Sequence, residues 1–288
     1  MDGTHRKRPN PFKQIYVIGG CLNDRYFCPA ALFCLVPNHE AATYFIILQF
    51  LKENVNKVPK KIIIDFEQAM LKTIHTVYDG GVEITGCFFH FKTNILKNMK
   101  SKGSGVYFNS NEAAKQAVRL ILCLPYCPPG YVIDVYEAVV LEHIDEFNLD
   151  EREEFRKFME YFESTYLGKP KRRGKTRWPP SFAIDKWNIY HEILNDTPMT
   201  NNGLEQWNGQ LNANQPGKQT VQKSIRAFQR EVTIAEVKRA EITGGTYRDQ
   251  HPGRTKKLVD RNNKLKLIIV NFELDSCKDF VNKILPFV

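Results

Sequence analysis

Residues 61–99 alternate between strand-like and helix-like patterns, and this alternation restricts the possible folds more than any other feature of the sequence. Lys61–Asp65 is a short aliphatic run with the length of one buried strand. A second strand-like stretch lies at Val82–Cys87, and a helical pattern follows each of the two. The apolar positions of these helices are Met70, Ile74 and Val77 in the first and Phe91, Ile95 and Met99 in the second. Because strands joined through helices pair in parallel within a sheet that is covered on both faces, the sequence predicts an α/β fold.

Two further strands are predicted ahead of this region. Gln14–Ile18 and Tyr26–Val36 are rich in β-branched and aromatic residues, and glycines and an Asn-Asp pair between them supply turn residues. The simplest interpretation is an antiparallel hairpin. Ala41–Leu51 then carries apolar residues at helical spacing, which predicts a helix.

The second half of the sequence is predicted to be mainly helical. Residues 112–166 mix acidic and aromatic residues in helical patterns, and we interpret them as an all-helical insertion. Helices are also predicted at Thr200–Leu211 and Val221–Glu236, whereas 265–270 resembles a strand. The core positions predicted for the helix at 221–236 are Val221, Ile225, Phe228, Val232 and Ala235.

These patterns divide the chain into four predicted segments. Residues 1–100 form the α/β core, with a first strand that we expect to be incomplete because Asp2 directly follows the first residue. Residues 101–198 form the mainly helical insertion with a basic loop, and 199–243 supply the later core helices. Residues 244–288 are a basic tail to which the sequence assigns no role.

The net charge of the chain favours a polyanionic partner. Lys and Arg number 41 against 32 Asp and Glu, which gives a formal charge of +9. The apolar runs are shorter than the roughly 20 residues that a membrane helix requires, so we expect no membrane partner. The seven cysteines are scattered and odd in number in a chain too large to need disulfides. We therefore expect reduced thiols in a soluble intracellular protein.

Three acids are candidates for metal-dependent phosphoryl chemistry. Asp65 ends a predicted central strand, Asp2 precedes another strand, and Glu205 shares a helix face with several asparagines. Carboxylate oxygens suit Mg²⁺ or Mn²⁺, and a pair of such ions can activate water or a 3′-hydroxyl. The pattern also leaves structural roles open. Asp65 could cap the helix that follows it, and Asn202 and Glu205 have the spacing of a capping box.

Five short motifs follow one another along the chain in the order found in one protein family. They are Asp2-Gly3-Thr4 with Phe12, Gln14, Ile15, Tyr16 and Ile18; Pro29, Leu35, Pro37-Asn38, Thr43 and Tyr44; Asp65-Phe66-Glu67-Gln68-Ala69; Gly86-Cys87-Phe88-Phe89-His90; and Thr200-Asn201-Asn202-Gly203-Leu204-Glu205-Gln206-Trp207. Each motif alone is weak. In this order, with a helical stretch before the last acid, they resemble the Mutator-like (MULE) transposase family from Asp2 to about Arg239.

The resemblance implies an RNase H-like mixed sheet flanked by helices, with an all-helical insertion before the last catalytic acid. In that family likeness Asp2, Asp65 and Glu205 are the acidic triad of a DDE-type transposase, which cleaves DNA strands and transfers them with Mg²⁺ or Mn²⁺ in the nucleus. The resemblance leaves open whether the chain forms a homo-oligomer. Cys87 and His90 match the family's Cys-x-x-His element and could be zinc ligands or structural residues.

Basic residues that could contact DNA fall mainly in two regions. Lys169–Pro180 is a basic loop, interpreted either as a solvated loop or as an arm that contacts phosphates. Further basic residues lie off the apolar stripe of the helix at 221–236. The residues assigned to DNA contact are Lys171, Arg172, Arg173, Lys175, Arg177, Arg226, Arg230, Asn201 and Asn202.

The chain departs from the family pattern at one position beside the last motif. The family has a histidine after the final tryptophan, and this chain has Asn208. Together with the short first strand, this departure motivates an alternative function, a catalytically inactive, host-adopted or relic DNA-binding protein. A third hypothesis is an RNase H-like nuclease that acts on another nucleic acid.

Overall fold

The chain divides into two units, each of which takes residues from two separate parts of the sequence. The structure is a computed structural model that describes residues 1–5, 7–22, 26–101, 109–172, 176–201, 203–205, 207–209, 219–247 and 252–288. The first unit comprises Met1–Cys87 and Thr200–Gln250, and the second comprises Phe88–Met199 and His251–Val288. The strands and helices lie in the following ranges.

The strands are β1 (Asp2–Thr4), β2 (Gln14–Leu22), β3 (Tyr26–Val36), β4 (Lys61–Ile64) and β5 (Glu83–Gly86). The helices are α1 (Ala41–Asn54), α2 (Gln68–Tyr78), α3 (Phe88–Met99), α4 (Glu112–Cys123), α5 (Val132–Val135), α6 (Glu142–Asp145), α7 (Leu149–Phe162), α8 (Tyr190–Leu194), α9 (Val221–Thr243), α10 (Pro252–Val270) and α11 (Cys277–Ile284). Two π-helical segments, Tyr136–Leu141 and Glu163–Leu167, continue α5 and α7. Residues 203–205 and 207–209 are also helical.

The first unit contains an antiparallel sheet in the order β1-β2-β3 and a parallel pair β4-β5. The pairing of β2 with β3 confirms the predicted hairpin, and a bulge interrupts its register between Ile18 and Gly20. The pairing of β4 with β5 confirms the predicted parallel neighbours, with α2 as the connection between them. Met1 N donates a hydrogen bond to Ile63 O over 2.7 Å, so the residue before β1 contacts β4 directly.

Side chains of β2 alternate between two apolar clusters, because successive residues of a strand point to opposite faces. Tyr16 and Ile18 pack in a cluster with residues of α1 and α2. Ile15 and Val17 pack in a second cluster that includes Trp207. Both faces of the sheet are therefore covered, which explains why β2 lacks the polar alternation of a solvent-facing strand.

Helix α9 buries a narrower stripe than the sequence predicts. Its buried residues are Ser224, Phe228 and Ala235, which lie on one line along the helix. Of the predicted core positions, Val221, Ile225 and Val232 are instead exposed. Phe228 stacks on Phe33 of β3 with ring centroids 4.9 Å apart. A long helix that contacts the sheet along a single line leaves the apolar residues beside that line in solvent. The predicted apolar stripe is therefore corrected to this narrower line of buried residues.

The second unit is helical over residues 112–166, as predicted. Its core includes many aromatic rings beside aliphatic residues. Trp187 is fully buried, stacks on Phe91 with ring centroids 5.2 Å apart, and donates from Nε1 to the carbonyl oxygen of Tyr166. Helix α7 begins with a capping box between Asn148 and Glu151, which satisfies two of its free backbone donors.

The strand predicted at 265–270 is wrong, because these residues belong to α10. Leu265 and Ile269 are both buried, and their spacing of four residues places them on one face of a helix. Lys266 Nζ forms an ion pair with Asp196 over 2.8 Å. Neither α10 nor any other helix in the described part of the chain has the length and apolarity needed to cross a membrane.

The burial of the aromatic rings predicts effects of very different size for two tryptophans of the second unit. Trp187→Ala removes a buried ring and should lower the free energy of unfolding by about 3–5 kcal/mol. Trp178 is mostly exposed, so Trp178→Ala should change that free energy by less than about 0.5 kcal/mol. Urea unfolding followed by circular dichroism measures both, and equal losses would contradict this description of the core.

Candidate functional site

Two of the predicted acids, Asp2 and Asp65, line one cavity of about 240 Å³ in the first unit. Asp2 is the first residue of β1, and Asp65 directly follows β4. The full lining consists of Asp2, Gly3, His5, Gln14, Tyr16, His39, Asp65, Phe66, Glu67 and Met70. Residues at the carboxyl end of a parallel strand commonly form ligand sites, and Asp65 occupies such a position.

Both oxygens of the buried Asp2 carboxylate have hydrogen-bond donors. The backbone N–H of Gly3 donates to Oδ1 over 2.9 Å. Asn208 donates from Nδ2 to Oδ2, also over 2.9 Å. A buried carboxylate is costly without such partners, so these bonds hold the ionised group in one orientation.

Asp65 accepts a hydrogen bond from the backbone N–H of Phe66 over 2.6 Å. The residue that precedes α2 as its N-cap is Glu67, and it makes no side-chain capping bond. Asp65 therefore lies two residues before the N-cap position of α2.

Glu205 is linked to the strand ends through Cys87. Cys87 follows β5, and its backbone N–H donates to Ile64 O over 2.7 Å. Its thiol donates to Glu205 Oε1 over 3.7 Å and to Asn201 Oδ1 over 2.7 Å. Asn201 N in turn donates to the thiol sulfur over 3.5 Å. These bonds bring the carboxylate of Glu205 to the end of β5.

The helical residues 203–205 and 207–209 connect the two halves of the site. Glu205 and Asn208 are three residues apart and therefore lie on the same face. Glu205 contacts Cys87, while Asn208 contacts Asp2. All three acids thus lie at one edge of the first unit, although Glu205 is not among the residues that line the cavity. The capping box predicted for Glu205 involves Asn202, which lies outside the described residues.

A polar network beside the acids was missed by the sequence reasoning. Gln14 donates from Nε2 to the Tyr44 hydroxyl over 2.9 Å, and that hydroxyl donates to both carboxylate oxygens of Glu67, over 2.9 and 3.0 Å. Burial raises the pKa of Glu67, and the hydrogen bond from Tyr44 opposes this shift. Glu67 lies two residues after Asp65 in the same motif. This proximity was the sequence signal that could have indicated a role for Glu67 beside the acids.

Tyr16 faces the negative charge of the cavity. Burial raises its pKa well above the ordinary value, and the charges of Tyr44, Glu67, Asp2 and Asp65 raise it further. Tyr16 therefore keeps its proton at neutral pH.

The site also contains buried polar atoms that a ligand could satisfy. Asn208 Oδ1 and Asn201 Nδ2 are buried and have no hydrogen-bond partner within the described part of the chain. Asn208 is itself more than nine-tenths buried, and its oxygen belongs to the side chain that holds Asp2. Carboxylate and amide oxygens are hard donors of the kind that Mg²⁺ and Mn²⁺ prefer, so the donor set fits these ions.

The Cys-x-x-His element remains a prediction as a zinc ligand pair. The thiol of Cys87 is buried and bonded as described above. His90 lies in the first turn of α3 and is half-buried.

The residues assigned to DNA contact separate into exposed and interior groups. Lys171, Arg172, Arg226 and Arg230 are exposed. Arg177 and Asn201 have polar groups that are bonded within the protein, and their contact with DNA remains a prediction. The Arg177 guanidinium bonds Gly168 O, Glu137 and Glu163, and Asn201 is buried against Cys87. Arg173, Lys175 and Asn202 lie outside the described residues.

The bond between Asn208 and Asp2 predicts a pH-dependent loss of stability. Asn208→Asp replaces the donor by a second carboxyl, and mutual repulsion raises the folded-state pKa of this carboxyl pair above the ordinary value of about 3.9. The penalty is then full at neutral pH and disappears as the pH falls toward that value. Urea unfolding at neutral and acidic pH measures it. Asp79→Asn, at an exposed turn, is the control, and a penalty independent of pH would contradict the geometry.

Comparison with known proteins finds one family similarity, in the first third of the chain. Residues 1–94 match the family model described as the MULE transposase domain. Neither the curated proteins nor the solved structures include a match to this chain. The matched residues contain β1 to β5, Asp2, Asp65 and Cys87. Over residues 1–94 the chain is therefore similar to the MULE transposase domain.

Proposed function

We propose that this protein is a DDE-type transposase that cleaves DNA strands and joins their 3′ ends to new positions. In this proposal Asp2, Asp65 and Glu205 form the acidic triad. The observation that carries the proposal is the shared cavity of Asp2 and Asp65, together with the helical residues that contact Asp2 through Asn208 and Cys87 through Glu205.

An RNase H-like core is the fold that we propose for this site. The antiparallel order β1-β2-β3, the parallel pair β4-β5 and the bond from Met1 N to Ile63 O support a single mixed sheet in the order 3-2-1-4-5. Helices α1 and α2 pack against one apolar cluster, and α9 contributes to the other. The proposed helical insertion, residues 101–198, separates Asp65 from Glu205 in sequence and belongs to the second unit.

Asp2, Asp65 and Glu205 would hold Mg²⁺ or Mn²⁺, with Asn208 Oδ1 as a further oxygen donor. When bound, such ions activate the attacking oxygen and stabilise the leaving oxygen of the phosphodiester. The contribution of the chain is orientation. Hydrogen bonds from Asn208 and Gly3 orient the Asp2 carboxylate, and a hydrogen bond from the Cys87 thiol orients the Glu205 carboxylate. Carboxylates that are already oriented need little rearrangement when charge develops on the phosphate.

DNA is the proposed substrate, and we propose a nuclear location together with it. The surplus of positive charge and the exposed Lys171, Arg172, Arg226 and Arg230 support phosphate contacts that do not depend on sequence. Such contacts release counterions, so the affinity for DNA should fall steeply as salt increases.

Cleavage of a labelled DNA duplex by the purified chain tests the proposal. We expect nicking that requires Mg²⁺ or Mn²⁺ and that Asp65→Asn and Glu205→Gln abolish. Asn208→Ala, which removes the donor to Asp2, should lower the rate by roughly 10- to 100-fold. Asp79→Asn removes an exposed acid of the same unit and should leave the rate unchanged.

Nicking that survives Asp65→Asn would contradict the proposed triad. Salt-sensitive DNA binding without metal-dependent nicking would favour the second candidate, a non-catalytic DNA-binding protein. The observation that favours this candidate is Asn208, which stands where the family pattern has a histidine.

A further inference from the structure

Residues 168–172 and 176–178 of the second unit are the two sides of an arm and are bonded to each other. Pro170 and Arg177 form an antiparallel bridge. The backbone N–H of Lys171 donates to Thr176 O over 3.0 Å, and that of Trp178 donates to Lys169 O over 2.8 Å. The arm therefore has paired backbone on both sides of residues 173–175, which lie outside the described residues.

The base of the arm is anchored to the helical part of the same unit. The guanidinium of Arg177 is 12% exposed and bonds Glu163 and Glu137 over 2.9 and 3.1 Å. Its Nε donates to Gly168 O over 2.7 Å. Gly168 has a φ of +81°, and a Cβ there would collide with the carbonyl oxygen of Trp178. This close backbone approach requires glycine at position 168 and fixes the position of the Trp178 backbone.

Trp178 is exposed although its position is fixed. Its exposed fraction is 60%, whereas the other two tryptophans, Trp187 and Trp207, are buried. The ammonium group of Lys171 lies 4.8 Å from the centre of its ring. Lys171 and Arg172 are themselves exposed beside it. The arm thus presents a large aromatic surface next to cationic groups.

We propose that Trp178 is a stacking platform for an unpaired DNA base, with Lys171 and Arg172 binding the adjacent phosphates. The choice of DNA rests on the proposed transposase function. An indole face with neighbouring cations suits a nucleotide, because the ring stacks on the base while the cations bind the backbone. Within a duplex both faces of a base are already covered, so the ring takes a base that is unpaired or turned out of the helix.

Intrinsic fluorescence tests this proposal with a short oligothymidylate as the probe. Two of the three tryptophans are buried, so quenching on addition of the probe reports mainly on Trp178. We expect quenching by the oligothymidylate and little by an abasic oligomer of equal length, which has the phosphates without the bases. Trp178→Phe should remove the quenched component of the emission.

Fluorescence anisotropy of a labelled oligothymidylate gives the affinity. Trp178→Ala should weaken binding roughly 5- to 150-fold, and Trp178→Phe should restore most of the loss because a phenyl ring also stacks. Lys171→Gln should lower the slope of log affinity against log salt by about 0.7. Lys157→Gln, an exposed lysine on α7 of the same unit, is the control and should leave the affinity of the probe unchanged.

The outcomes separate this inference from the proposed catalysis. Quenching and loss of affinity in Trp178→Ala would support the platform even if no cleavage were observed. Unchanged affinity in a Trp178→Ala variant with native circular dichroism would overturn it, whether or not the chain cleaves DNA. Equal quenching by the abasic oligomer would also overturn it. Absence of any quenching would overturn it too.

Discussion

The hydrogen bond between Asn208 and Asp2 joins residues that are 206 positions apart in sequence. It binds the later segment of the first unit to the first strand at the edge where the acids lie. Asp2 is buried, and a buried carboxylate without donors would be expensive. The position of the helical residues 203–205 and 207–209 and the orientation of Asp2 therefore depend on each other. Cys87 makes the corresponding connection between Glu205 and the end of β4.

Much of the first unit could be predicted because its patterns are locally unambiguous. The aliphatic run at 61–64 is too short for a core helix and is followed by a helical pattern, so only a strand that feeds a helix fits. The hairpin of β2 and β3 follows from β-branched residues on both sides of turn residues. In both regions local propensity and tertiary packing favour the same structure.

The predictions that failed depended on distant partners. Residues 265–270 contain β-branched and aliphatic residues, but Leu265 and Ile269 are buried four residues apart, and the side chain of Lys266 pairs with Asp196. The width of the buried stripe on α9 was overestimated, because the helical spacing of apolar residues does not show how wide the contact with the sheet is. The ion pairs of Arg177 were also not visible in the sequence, because Glu137 and Glu163 meet it only in the folded unit.

The candidate site shows the same division between local and distant information. The acids could be identified from motifs, since their carboxyl chemistry and spacing are visible in the sequence. Tyr44, Gln14 and Asn208 could not be assigned roles, because their contacts join separate strands and helices. The departure at Asn208 was visible as a missing histidine, but its bond to Asp2 required the structure.

Iron-directed cleavage of the polypeptide tests most directly whether the three acids form one metal site. Fe²⁺ bound in place of Mg²⁺, with ascorbate and peroxide, cuts the backbone close to its ligands, and mass spectrometry locates the cuts. The account predicts cuts near Asp2, Asp65 and Glu205 together, suppressed by Mg²⁺ and absent in Asp65→Asn. Cuts near Asp65 without cuts near Glu205, or cuts that excess Mg²⁺ does not suppress, would contradict a shared site.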